Sequence, residues 1–142
     1  MRSTFTAALA ATALLMVAAT TVRAHHAFSA EFDVNKPLKL TATLEKWEMI
    51  NPHSWFHVQV KDPATGKTSI WMIEGGSPNQ LIRNGVTKNT IKPGTELVIE
   101  GYQAKDGTQK AVGRNFVLKD GSRLFLGGSA PGQADAPSSK TK

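Results

Sequence analysis

Cysteine is absent from this 142-residue chain. Its absence excludes disulfides, thiolate metal sites and cysteine nucleophiles, so a bound metal would need histidine, carboxylate, methionine or a terminal amine as ligand. Acidic residues are in the minority, 11 against 17 lysines and arginines. The basic residues are nevertheless scattered rather than clustered, which reads as a solvated surface and not as a nucleic-acid footprint. No apolar run reaches the roughly 20 residues needed to span a bilayer as a helix. Neither a glycine-rich phosphate loop after a strand nor a nucleophile elbow is present, which leaves binding or transfer ahead of catalysis. With one tyrosine and three tryptophans, each large aromatic side chain has to be placed individually.

What is present begins with a secretory pattern over residues 1–24. A basic start at Arg2 precedes an apolar stretch from Phe5 to Ala19, and Val22 and Ala24 stand at the −3 and −1 positions of a cleavage site. Cleavage after Ala24 exposes the α-amine of His25 and, by removing Arg2 and Arg23, lowers the formal charge from +6 to +4. The expected address is periplasmic or secreted, with no stable membrane insertion after cleavage. The mature chain is long enough for one core but not for two. Residues 25–37 read as an N-terminal segment, 38–126 as the folded domain and 127–142 as a tail of small and polar residues unable to build a core.

Within the domain, Leu38, Leu40, Ala42 and Leu44 alternate with Lys39, Thr41, Thr43 and Glu45, the period of a half-buried strand. At Lys46 the phase flips, and Trp47 and Met49 carry the apolar pattern instead. A one-residue flip predicts a β-bulge that bends the strand. Strands follow at about 55–61, 69–74, 96–102 and 111–118, with a short return over 124–126, separated by Asp62-Pro63, Lys92-Pro93-Gly94, Asp106-Gly107 and Asp120-Gly121 turns. Ser77-Pro78-Asn79-Gln80 is a capping-box start for a short helix that stops at Asn84-Gly85. The expected fold class is all-β with one short helix, an OB-like five-stranded Greek-key barrel; the alternative is a small β-sandwich.

Several local sequences together resemble a family of short exported proteobacterial proteins, the domain of unknown function family 6152. They are Ala24-His25-His26-Ala27-Phe28, Asn51-Pro52-His53-Ser54-Trp55, Glu74-Gly75-Gly76-Ser77-Pro78-Asn79, Lys92-Pro93-Gly94, and Gly101-Tyr102 with Lys105-Asp106-Gly107. The resemblance spans roughly residues 24 to 126. It implies a periplasmic address, with the paired histidines and the Asn-Pro-His turn as family features, and no established activity. His57 lies outside the pattern.

The four histidines fall in two groups, His25-His26 and His53 with His57. An N-terminal histidine chelates a metal through its α-amine and its imidazole Nδ1, and such nitrogen-rich sites favour Cu(II) over magnesium or calcium. The metal-ligand candidates are therefore His25, His26 and His53, with copper as the expected cofactor and carriage, sensing or buffering as the role. The plain alternative is a frayed terminus and a His53 that only hydrogen-bonds within its turn. For His53 to join the terminus, the segment before Leu38 must double back with Phe28 and Phe32 as anchors. A second functional class is a metal-independent binder of a glycan or peptide through an exposed aromatic face, with Trp55, Trp71 and Asn51 as candidates. Its plain alternative is tryptophans that fill the core. Oxidative copper chemistry, with Tyr102 or Glu74 near the histidines, ranks below both.

Overall fold

A computed structural model describes residues 28–128 of the chain. The expected signal peptide, His25 and His26 lie outside the described residues, as does all but Gly127 and Gly128 of the expected tail.

The strand β1 (Phe32–Glu48) organises the rest. Its first part pairs antiparallel with β4 (Glu96–Ala104) from Phe32 to Thr43, and its last part pairs antiparallel with β2 (Trp55–Lys61) from Ala42 to Glu48. One strand can serve both neighbours because it bends. The register slips between Leu44 and Lys46, where the apolar phase flips, so Leu44 opposite Val58 and Trp47 opposite Phe56 both turn inward. Trp47 stacks on Phe56 at 5.2 Å, with the rings 11° from parallel. The strand begins at Phe32 rather than Leu38, because Phe32 pairs with Ala104 across a second irregularity that absorbs the residues up to Pro37.

β2 turns into β3 (Thr68–Glu74) through Asp62, whose carboxylate accepts from the backbone N–H groups of Ala64 and Thr65. The helix α1 (Pro78–Arg83) follows, capped by Ser77 and ended at Asn84 with Gly85 at φ 78°. It buries Leu81 and, with Val86 and Ile91, covers part of the core. β4 then leads to β5 (Lys110–Leu118) and the short β6 (Arg123–Phe125). The hydrogen-bonded order is β3-β2-β1-β4-β5-β6, and β3 also pairs in parallel with β5 through Met72–Lys110, Ile73–Ala111 and Glu74–Val112. That short parallel contact joins five strands into a ring, the barrel-like connectivity of an OB-like Greek key. Among the described residues no helix is long and apolar enough to cross a membrane.

Inside the ring sit Leu44, Phe56, Val58, Ile73, Ile99 and Phe116, all at most 1% exposed. A second cluster of Phe32, Tyr102, Ala104 and Val112, with Phe28 packed on it, is separate from the first. Val112 follows the core residue Ala111 and is paired with Tyr102, so these side chains occupy the opposite face of the strands, outside the ring. Phe28 meets Phe32 at 5.8 Å and Tyr102 edge-on at 5.7 Å. Phe28 and Phe32 anchor the segment as expected, but it does not double back: Phe32 continues β1 in line against β4.

Candidate functional site

The turn between β1 and β2 carries His53, and its placement starts from the backbone. The Asn51–Pro52 bond is cis. Ser54 donates its N–H to the Gly76 carbonyl at 3.0 Å, Gly75 donates back to Ser54 at 2.8 Å, and Gly76 donates to Leu126 at 2.6 Å. These bonds fasten the turn to the chain leaving β3. Close approach is available because Gly75 and Gly76 have no side chains; a Cβ at Gly75 would stand 2.8 Å from the Phe56 ring.

One consequence is that Trp55 and Glu74 become ladder partners and His53 reaches the end of β3. Its Nδ1 lies 2.5 Å from Oε1 of Glu74. The imidazole is half exposed, whereas only 9% of the Glu74 side chain is. Burial pushes the Glu74 carboxyl above its ordinary value, and the negative charge of Glu31 adds to that; His53 first and then Lys110 pull it back. Lys110 is itself ion-paired with Glu31 and lies over the Trp55 ring at 5.0 Å and near Phe32 at 5.9 Å. Lys105 adds a bond from its ammonium to the Ser29 carbonyl at 2.6 Å, and its backbone N–H donates to Glu31 at 2.9 Å. The N-terminal segment is thereby tied to the ring beside His53 and Glu74, by two aromatic rings and two lysines.

The structure separates the other sequence candidates. Trp71 faces inward opposite Val58 and packs against the core, whereas Trp55 faces outward beside Glu74. The two tryptophans therefore do not form one platform. Asn51 is exposed in the turn. His57 stands apart from His53, its Nε2 3.9 Å from Glu48. Among the described residues no group of three histidines and carboxylates is arranged to hold a metal; His25 and His26 are outside that set. Sequence reasoning missed Glu31 and Lys110, and no local signal marks them, because they are 79 residues apart.

The arrangement can hold an imidazole in a defined orientation. With Nδ1–H donated to a buried carboxylate, Nε2 is left as the free ring nitrogen of a half-exposed imidazole, which is how metal-binding histidines are commonly supported. In the comparisons with known proteins, the model of a family of unknown function, DUF6152, matches residues 11–114. No curated protein and no solved structure matches the chain.

Proposed function

Because the chain belongs to the DUF6152 family, whose function is unknown, its activity has to be argued from its own residues, and we propose that it is an exported copper-binding protein. In this reading the signal peptide is removed after Ala24, and the α-amine and Nδ1 of His25 chelate the ion. The imidazoles of His26 and His53 complete the set. The role is carriage, sensing or buffering in the periplasm rather than catalysis.

The observation that carries the reading is the His53–Glu74 pair at 2.5 Å. Glu74 holds His53 through Nδ1 and leaves Nε2 as the ligand nitrogen, the same support that carboxylates give metal-bound histidines. Reach supports it as well. His26 lies five positions before Glu31, and because residues 28–31 form a helical turn the chain between them spans roughly 12 Å at most; Glu31 is anchored to Lys110 in the electrostatic neighbourhood of Glu74. The set is nitrogen-rich, which favours Cu(II) over hard cations.

The test is a Cu(II) titration of the processed protein, preceded by an intact mass that fits a chain starting at His25. His25→Ala, His26→Ala and His53→Ala should each weaken binding, and His57→Ala should have little effect. A glycine placed before His25 turns its amine into an amide and should weaken binding too. Glu74→Gln, which leaves every ligand in place, should cost about 10- to 100-fold in affinity. Equal affinity across the processed protein, the glycine-extended form and His53→Ala would sink the proposal.

One observation favours a second reading, a glycan or peptide binder on the outer face. Ile70 and Met72 on β3 are 48% and 40% exposed beside the Trp55 strand. Such a binder would keep its ligand after treatment with a chelator.

A further inference from the structure

Next to Val112, which pairs with Glu74 on one side and Tyr102 on the other, β4 and β5 lose register between Glu100 and Gly101, so that Glu100 faces Asn115 while Gly101 faces Gly113. Arg114 is the extra residue. A bulge of this kind turns the side chain of the extra residue out of the regular alternation. The two glycines make room for it: a Cβ at Gly101 would lie 2.0 Å from the Val112 carbonyl oxygen, and one at Gly113 would lie 2.7 Å from Ile73 and Leu126. Beside the bulge lies a groove of about 360 Å³ lined by Pro37, Leu38, Tyr102, Arg114, Asn115 and Arg123 together with Glu100 and Gly101.

The charges in this groove do not cancel. Arg123 is ion-paired with Glu100, which also accepts from the Asn115 amide at 3.2 Å. Arg114 has no carboxylate partner among the described residues, and its Nε is buried with no hydrogen bond. Two cations thus face one anion. A buried donor left unpaired is destabilising, so the Arg114 Nε is held here at the expense of stability. Residues that break a packing rule in this way are where function is to be sought. The guanidinium is planar and matches a carboxylate in a two-bond fork, and Pro37 and Leu38 offer an apolar wall beside it.

We propose that this groove is a second binding site, independent of the histidines, for a small monocarboxylate with an apolar body. The carboxylate pairs with Arg114, the body rests on Pro37 and Leu38, and Asn115 and Arg123 border the polar end. The site takes one negative charge, because one charge neutralises the groove.

The experiment uses the full chain freed of metal by chelator, titrated with benzoate and followed by the Arg114 Nε–H resonance and by calorimetry. Saturable binding that shifts that resonance is expected, with at least tenfold weaker binding for the neutral isostere benzyl alcohol and for Arg114→Gln. Arg114→Lys should retain part of the affinity, and Lys119→Gln, in the separate ion pair with Glu96, should leave it unchanged. Arg114→Met should keep or raise the thermal midpoint, because it removes the unpaired donor. Lack of a saturable shift at millimolar benzoate would overturn the proposal. So would equal binding by Arg114→Gln, or a fall in midpoint in Arg114→Met showing that the arginine is structural. Inorganic phosphate binding as tightly as benzoate would show a general anion site and overturn the monocarboxylate assignment. None of these outcomes depends on copper.

Discussion

Two apolar clusters share the work of this molecule, one enclosed by the strand ring and one clasped to its outside. The inner cluster is built from alternating residues of every long strand, and Phe56 at its centre meets Trp47 on one side and Phe116 edge-on at 4.9 Å on the other. The outer cluster consists of Phe32, Tyr102, Ala104 and Val112 with Phe28 against them, and it is bordered by the Glu31–Lys110 and His53–Glu74 pairs. The inner cluster is apolar throughout and closes the fold. The outer one mixes rings with charges and fixes the segment leading into β1 beside a histidine. Small apolar patches stitched by ion pairs open locally at lower cost than closed cores, so the two regions should respond differently to damage.

The largest difference should come from truncation in each. Phe56→Ala leaves a cavity where none of the surrounding strands can collapse, and should cost about 3–5 kcal/mol in global stability by denaturant titration. A loss under 1 kcal/mol would mean that the ring is looser than its packing shows. Phe32→Ala should cost less, about 2–3 kcal/mol, because the patch is peripheral and partly relaxes. Its signature is local: amide exchange should rise over residues 28–36 while the protection of Phe56 and Ile99 stays. Uniform loss of protection would erase the distinction between the clusters.

Acidity separates the regions by sign. In the barrel turns, Asp62 is held below its ordinary value of 3.8 by the Ala64 and then the Thr65 backbone N–H groups. Asp106 and Asp120 are lowered likewise by the hydroxyl and backbone N–H of Thr108 and Ser122. Their stabilising effect is present above 3.8 and is lost as pH falls through their depressed folded values. Glu74 runs the other way. Its folded carboxyl is raised from 4.5, chiefly by burial, so its contribution is complete below 4.5 and is lost as pH rises through the folded value. In metal-free protein, Glu74→Gln should therefore remove the loss on the high side of 4.5 and leave the acid limb alone. Thermal midpoints from pH 3 to 8 provide the check, and parallel curves for the two proteins would refute the assignment. The smallest effect expected is at the helix cap. Ser77 accepts from Gln80 at a long 3.4 Å, so Ser77→Ala should cost only about 0.5 kcal/mol.

Much of the inner region was legible because each signal is local. The Leu38 to Leu44 alternation, the flip before Trp47, the Ser77-Pro78 start, the Asn84-Gly85 stop and the Asp-Gly turns all act within a few residues, and each appears where the pattern places it. The outer region was legible only in part. Phe28 and Phe32 were readable as anchors, but Asn35-Lys36-Pro37 looks like a turn and conceals that β1 already runs from Phe32. Trp55 reads as the better platform candidate because Phe56 and Val58 fill its strand's core face, and it does face outward beside Glu74, whereas only the register of β2 on β3 sends Trp71 in against the core.

By itself the sequence determined the all-β class, the bulge in the first strand, the helix between β3 and β4 and the positions of the turns. Backbone preference and apolar period decide these over short stretches of chain. Tertiary structure alone decided that β3 would meet β5 and close the ring, that Glu74 would be buried against His53, that Lys110 would hold Glu31, and that the Arg114 Nε would be left without a hydrogen bond among the described residues at the bulge between β4 and β5. Each of these depends on register between segments distant in sequence. Register is set by the packing of the whole sheet rather than by the residues that it brings together.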